Sequence, residues 1–122
     1  MKAVAPRPIT PEEALVVRNA IENASVSPTP PSLLAEIENL TVVGVCECGC
    51  ASLHFRPISK DDYRIADAVG RLPNGAKVDV MVWANSDHVS ALELVDHRGE
   101  GGLPVPETVL SWGEYGKRHG EA

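Results

Sequence analysis

"LTVVGVCECGCASLHFRP", residues 40–57, is where the chain changes its period. Upstream, apolar residues recur at three- and four-residue spacing. From Thr41 onward they alternate with polar ones, and the alternation persists to about residue 96. A period near 3.6 marks a helix, and a period of two marks a strand with one buried face. The break at Thr41 therefore predicts an α+β domain, with two N-terminal helices packed on a mostly antiparallel, meander-like sheet of about five strands.

The same stretch holds every cysteine of the chain, Cys46, Cys48 and Cys50, with His54 four residues further on. Alternate residues of a straight strand stand about 6.6 Å apart. Tetrahedral zinc, with Zn–S near 2.3 Å, needs sulfurs only about 4 Å apart. A straight strand cannot chelate with all three, so the chain is expected to turn here. A three-residue loop, Glu47-Cys48-Gly49, places glycine where a positive φ is required. Cys46 then faces Cys50, Val45 faces Ala51, Val43 faces Leu53 and Thr41 faces Phe55.

One side of that hairpin carries Val43, Val45, Ala51, Leu53 and Phe55. The other carries Val42, Gly44, Cys46, Cys50, Ser52 and His54. A two-residue loop, Cys48-Gly49, would mix apolar and polar groups on both sides, and register follows the buried face. Cys46 and Cys50 become cross-strand neighbours with Cβ atoms about 5 Å apart, and Cys48 takes the apex. Three readings stay open: small thiols filling a tight turn, a transition-metal site with zinc as its candidate ion, or a redox-active or disulfide pair. His54 lies roughly 13 Å beyond Cys50 along an extended strand. A fourth ligand would have to come from water, Glu47, His88 or His97.

Working back from the break, "RPITPEEALVVRNAIENA" opens with a helix start. Thr10 caps, Pro11 takes the first helical position and Glu13 completes a capping box. Ala14, Val16, Val17, Ala20, Ile21 and Ala24 share a broad face, interrupted by Glu13, that should dock on the sheet. After the connector "SVSPTPPS", Leu33, Leu34, Ile37 and Leu40 mark a second, shorter helix capped by Thr29 or Ser32. Working forward, turn chemistry divides the alternating half into strands near 41–46, 50–57, 63–71, 77–84 and 88–96, with "PNG" at 73–75 and "NSD" at 85–87 as the later breaks. "HRGEGGLPVPE" reads as loop, followed by a short segment at 107–112. One domain over 1–122 is expected, with mobile termini at 1–8 and 113–122.

Composition bounds the function. A chain of 122 residues can bury a core without metals or disulfides. The net charge of −6 argues against a sequence-independent grip on nucleic acid, which needs clustered Lys and Arg. No apolar stretch approaches the roughly 20 residues that span a bilayer. The start "MKAVAPRPITPEE" lacks the apolar region of a secretory signal. A cytoplasmic protein with reduced cysteines is the expectation.

The hairpin around 85–87 supplies a second candidate surface. Pairing Ala84 with His88 puts Val78, Val80, Val82, Leu92 and Leu94 on a core face. The opposite face then carries Met81, Trp83, Val89 and Ala91, with Asp79 and Glu93 further along. Met81, Trp83 and Val89 form the candidate partner patch, unless the C-terminal segment with Leu110 and Trp112 covers it. Asp87-His88 and Asp96-His97 point to opposite faces if extended, so neither forms a dyad. Asp61-Asp62 should cap or solvate the "SKDD" turn. "RGEGG" at 98–102 lacks the Lys-Ser/Thr and the strand-to-helix setting of a phosphate cradle. No neighbouring cation or helix start activates a cysteine, and no catalytic constellation is evident.

"RPITPEE", "CECGC", "WANSDHVSALEL" and "LPVPETVL" occur in an order that resembles short uncharacterised bacterial proteins carrying a CxCGC hairpin. The resemblance implies a small single-domain bacterial protein and no particular activity. Two functions follow from the residues themselves. The first is a non-catalytic acidic binding protein with a protein partner, such as a basic toxin that it neutralises. The alternative is a metal-binding or thiol-redox protein working through Cys46, Cys48 and Cys50.

Overall fold

The computed structural model describes residues 1–47, 50–99 and 101–120. In chain order the elements are β1 (Lys2–Pro8), α1 (Pro11–Ala24), α2 (Pro31–Glu36) running into a 3-10 turn at Ile37–Asn39, and β2 (Thr41–Val45). Then come β3 (Leu53–His54), β4 (Tyr63–Arg71), β5 (Lys77–Ala84), β6 (Val89–Val95), a 3-10 turn at Pro106–Thr108, β7 (Leu110–Ser111) and α3 (Trp112–His119). The fold is α+β. Its strands form one sheet in the order β1-β2-β3-β6-β5-β4-β7, and every pairing is antiparallel.

Among the described residues the sheet has seven strands and there are three helices, against five and two expected. The additions are at the ends. Residues 2–8 pair with β2 as an edge strand whose side chains are mostly exposed. With both faces near solvent and prolines at 6 and 8, that strand carries no alternating apolar signal. At the other end, Ser111 caps α3 by accepting from Glu114 N, and Gly120 closes the helix in the left-handed region, φ 69°. Tyr115, 1% exposed, anchors α3 on β4 and β7. A single buried aromatic between Gly113 and Gly116 leaves too short a pattern to read from sequence.

α1 forms as its residues dictate. Thr10 Oγ1 accepts from Glu13 N (3.2 Å), and the Glu13 carboxylate accepts from Thr10 N (2.9 Å). The six apolar residues of its face are all buried against the sheet. Glu13 interrupts that face because Arg7 of β1 clamps its carboxylate with two hydrogen bonds of 2.9 and 2.8 Å. Burial alone would raise the Glu13 carboxyl, but the bonds from Arg7 and Thr10 outweigh it and hold the group below its ordinary value of 4.5. A carboxyl held down in the folded state stabilises fully above the unfolded value, and the contribution disappears as pH falls through the folded one. Denaturant titrations should therefore show a flatter acid limb below about pH 4.5 in Glu13→Gln than in the native chain. Thr10→Ala should cost about 1 kcal/mol at neutral pH.

The second helix is corrected at its start. Its N-cap is Pro30, with no side-chain bond, and Pro31 supplies the preset φ of the first turn. Thr29 Oγ1 is buried without a hydrogen-bond partner among the described residues, and Ser32 lies inside the helix. Glu36 does the anchoring instead. Its carboxylate accepts from Val89 N (2.6 Å) and lies 3.2 Å from His88 Nδ1, tying α2 to the β5–β6 turn.

Two registers differ from expectation. In the cysteine hairpin Gly44 pairs with His54 and Val45 with Leu53. The ladder is thus displaced by two residues from the expected one, and Cys46 does not face Cys50. The expected Glu47-Cys48-Gly49 turn falls partly on residues 48 and 49, outside the described residues. β3 is shortened because its approach is held by β6: Ser52 Oγ accepts from Leu94 N (2.8 Å) and donates to Leu94 O (3.3 Å). A displacement of two preserves which face each side chain takes. Leu53 and Phe55 accordingly enter the core, with Val45 and Ala51 packed against it, although Val42 also buries fully there.

In the late hairpin Ala84 pairs with Val89 rather than with His88, and an irregularity follows before Trp83 pairs with Ala91. Ser90 is the extra residue. It is fully buried, its hydroxyl donates to Asp62 Oδ1 (2.9 Å) and its carbonyl accepts from Phe55 N (2.8 Å). The bulge turns Val89 inward, where it is fully buried in the core. Val78, Val80, Val82, Leu92 and Leu94 occupy the core as expected.

Among the described residues no helix is long and apolar enough to cross a membrane.

Candidate functional site

α1 packs on one face of the sheet. On the other face, α3 covers the β4–β7 end: Trp112 Nε1 donates to Asp67 Oδ1 (3.1 Å), and Arg71 Nε donates to the Tyr115 hydroxyl (2.9 Å). The C-terminal segment thus shields part of the outer face, as one reading of the sequence anticipated. Trp83 stands on the remaining part, half-buried, and lines an open cleft of about 530 Å³ over β3, β6 and β5.

Each wall follows from the pleat. Along β5 and β6 the outward positions pair as Trp83 with Ala91, Met81 with Glu93 and Asp79 with Val95. Trp83 Nε1 donates to Glu93 Oε1 (2.9 Å), a diagonal bond that fixes the indole across the sheet. Ile58, 57% exposed, borders the cleft from the β3–β4 connection. The far wall is the cysteine hairpin: Cys46, Cys50, Ser52 and His54 all line the cleft. These are four of the residues that the sequence placed on one side of that hairpin. The even displacement of register kept them together.

The polar groups of the cleft differ in what engages them. Cys50 Sγ donates to Ser52 Oγ (3.1 Å), and the same hydroxyl is held by Leu94. Ser52 thus links the start of β3 to β6. His54 Nδ1 is shielded from solvent with no hydrogen-bond partner among the described residues. Burial, reinforced by the N-terminal ammonium and opposed by Glu93, pushes its imidazole below the ordinary 6.5, so the ring is neutral at pH 7. An orphaned ring nitrogen at the wall of an apolar cleft can donate to or accept from a guest, depending on tautomer.

The sequence-derived site residues separate. Cys46 and Cys50 are half-buried in the cleft wall, while Cys48 lies outside the described residues. Among the described residues, no three of His, Cys, Asp and Glu converge as a metal-binding group. Of the candidate patch, Trp83 lines the cleft and Met81 is half-buried on the same face, but Val89 leaves the patch for the core. His54, Ile58 and Val95 complete the cleft and were not singled out as binding residues. Ile58 sits in a loop and had no periodic signal.

The acid–histidine neighbours find other partners. His88 lies against Glu36, and His97 Nε2 lies 3.2 Å from Asp79 Oδ2. Asp62 Oδ2 caps its turn through Ser59 N (2.8 Å), and Asp96 accepts from Arg98 N and Gly101 N in the glycine loop.

No family model matches this chain, and searches among curated proteins and among solved structures give no match.

Proposed function

We propose that the protein is a non-catalytic binding module whose outer-face cleft takes an apolar side chain from a basic segment of another protein. The observation that carries this reading is the cleft: about 530 Å³ of mostly apolar space, floored by a fixed indole and containing few polar atoms. Binding sites of this size are typically apolar with a few placed polar groups. The charge of the partner follows from that of the host. The net charge is −6, Glu93 and Asp96 line the cleft, and exposed Glu47 adjoins Cys46. Complementary charge would steer Lys or Arg to this rim while the apolar side chain enters.

The test is a fluorescence titration in a Trp112→Phe background, where Trp83 is the one remaining indole. The probes are capped Arg-Phe-Arg and Glu-Phe-Glu tripeptides. The basic probe should change Trp83 emission saturably and bind more weakly as salt rises, and the acidic one should not. Equal responses to both probes would refute the charge assignment, and no response to either would refute the site.

A second reading has one specific observation in its favour: two thiols and a neutral imidazole line the same cleft. In it, Cys46, Cys48 and Cys50 hold a thiophilic ion such as zinc. Reduced protein purified without chelators should then contain near-stoichiometric metal that is lost in the triple Cys→Ser variant. Less than about a tenth of an equivalent would end this reading.

A further inference from the structure

Of the large apolar side chains exposed among the described residues, Ile58 is the one that lines the Trp83 cleft, and it is 57% exposed. It is held out on a firm support. Pro57 restricts the backbone just before it. The turn just after it is closed by Ser59 N donating to Asp62 Oδ2 (2.8 Å) and by Asp62 N donating to Ser59 O (3.0 Å). Asp62 Oδ1 accepts from the Ser90 hydroxyl (2.9 Å), which fastens the turn to β6. An isoleucine presented in this way loses little freedom when a partner buries it. Its neighbours in sequence are basic, with Arg56 and Lys60 each two residues away. The protein thus carries, beside its own cleft, the kind of group that the cleft is proposed to take.

The cleft is also polarised along its length. At one end a rung of paired residues crosses the outer face from Arg64 through Trp83 and Ala91 to His54. Arg64 is exposed, with Nη1 3.7 Å from Asp67 Oδ2 and 3.8 Å from Met81 Sδ. The connection that bears Ile58 leaves β3 just past His54 and is tied to Ser90, so Arg56 and Lys60 belong to the same end. Towards the other end the lining residues are Glu93, Val95 and Asp96. Four residues of β6, about 13 Å of strand, separate Ala91 from Val95. Arg71, Lys77 and Arg98 gather in a separate cleft past that end.

We infer that the partner is a second copy of this chain, docked outer face to outer face about a two-fold axis, with Ile58 of each copy seated in the cleft of the other. The inference rests on the reading of the cleft as a site for an apolar side chain that basic groups flank. A two-fold contact is isologous, so a single patch has to supply both the knob and its socket, and both signs of charge. This patch does so. Half a turn of one copy sets the basic end of each cleft, with Arg56, Lys60 and Arg64, over the acidic end of the other, with Glu93 and Asp96. The same charges disfavour the parallel arrangement, in which like ends would meet, and so fix the register of the pair.

Sedimentation equilibrium on the full chain, from about 5 μM to about 1 mM protein, tests the contact. The expected result is a reversible monomer–dimer equilibrium with a Kd of about 100 μM at low salt, weakened at least about fivefold at high salt. Ile58→Glu puts a charge into an apolar socket and should weaken the dimer at least about tenfold, and the exposed position leaves the fold intact. Leu15→Glu, the matching change on the exposed side of α1, should leave the dimer unchanged. Saturating Arg-Phe-Arg should compete for the cleft and return the chain to monomer. A chain that stays monomeric at the highest concentration yet takes up Arg-Phe-Arg overturns the self-association and leaves the cleft reading standing. One that stays monomeric and binds neither tripeptide overturns both. A dimer untouched by Ile58→Glu or by the tripeptide, or a series of species larger than a dimer, would equally overturn the two-fold contact.

Discussion

Replacing Leu92 by alanine should lower the free energy of unfolding by about 2–5 kcal/mol, the range for emptying a fully buried leucine site. Leu92 has no exposed surface. It pairs with Leu53 of β3 on one side and with Val82 of β5 on the other. That position gives the substitution a second consequence. The β1–β2 pair joins the β6-β5-β4-β7 group through β3, which is only two residues long. Ser52 extends this seam with its hydroxyl, bonded to both Leu94 N and Leu94 O. Ser52→Ala leaves a buried Leu94 amide unpaired and should cost about 1–3 kcal/mol. The two sites share one seam, so their effects should not add, and a double-mutant cycle should give a coupling of about 0.5 kcal/mol or more. Guanidinium unfolding followed by far-UV and tryptophan signals measures all three variants. A loss below about 1 kcal/mol in Leu92→Ala would mean that the site collapses freely and that the seam is not a weak point of the sheet.

What could be read from the sequence was what repeats along it. The Thr41 boundary, the α1 capping box and the strands 63–71 and 77–84 all follow from local pattern, and the structure places them at those residues. Most face assignments in the cysteine hairpin survived its change of register, because a strand alternates with period two and the ladder was displaced by two, but Val42, expected on the outer side, is fully buried in the core. Where the displacement was odd, the assignment failed. The bulge at Ser90 is driven by the Asp62 carboxylate 28 residues away, and it carried Val89 from the outer face to the core. No local pattern could have announced it. The terminal elements were missed for a related reason. β1 is an exposed edge, and the C-terminal segment is held partly by polar side chains of α1: Asn19 donates to Pro106 O (2.9 Å) and Asn23 to Val109 O (3.0 Å). Both asparagines lie off the apolar face of α1, where the periodic pattern carries no signal. Gly70 belongs with them. A Cβ there would meet Pro104 at 3.1 Å and Val109 at 3.2 Å, so its small size admits the segment that closes the sheet.

Trp83→Ala should reduce the affinity of the basic tripeptide by at least about 30-fold, since a buried aromatic anchor at the centre of a binding site commonly contributes 2 kcal/mol or more. The effect should exceed that of any other single change in the cleft, because the indole supplies its largest apolar surface and is already fixed before a guest arrives. Fixation comes from Glu93 Oε1, so the two residues are separable by experiment. Trp83→Phe keeps an aromatic floor but loses the bond to Glu93, and it should retain most of the affinity while the ring gains freedom. Glu93→Gln keeps an acceptor for the indole but removes a charge. It should leave apolar recognition in place and flatten the salt dependence, as expected of a charge that acts at long range. Isothermal titration reads all three without relying on the tryptophan that is being changed. If Trp83→Ala bound as tightly as the native chain while Glu93→Gln did not, recognition would be purely electrostatic. The cleft would then be a by-product of the short β3 strand. If both variants lost binding together with stability, the Trp83–Glu93 bond would be part of the scaffold. A Trp83→Ala variant that stays folded and loses its guest separates these outcomes, because the indole lies on the face of the sheet opposite the core residues Val78, Val80 and Val82, and its removal leaves that core intact.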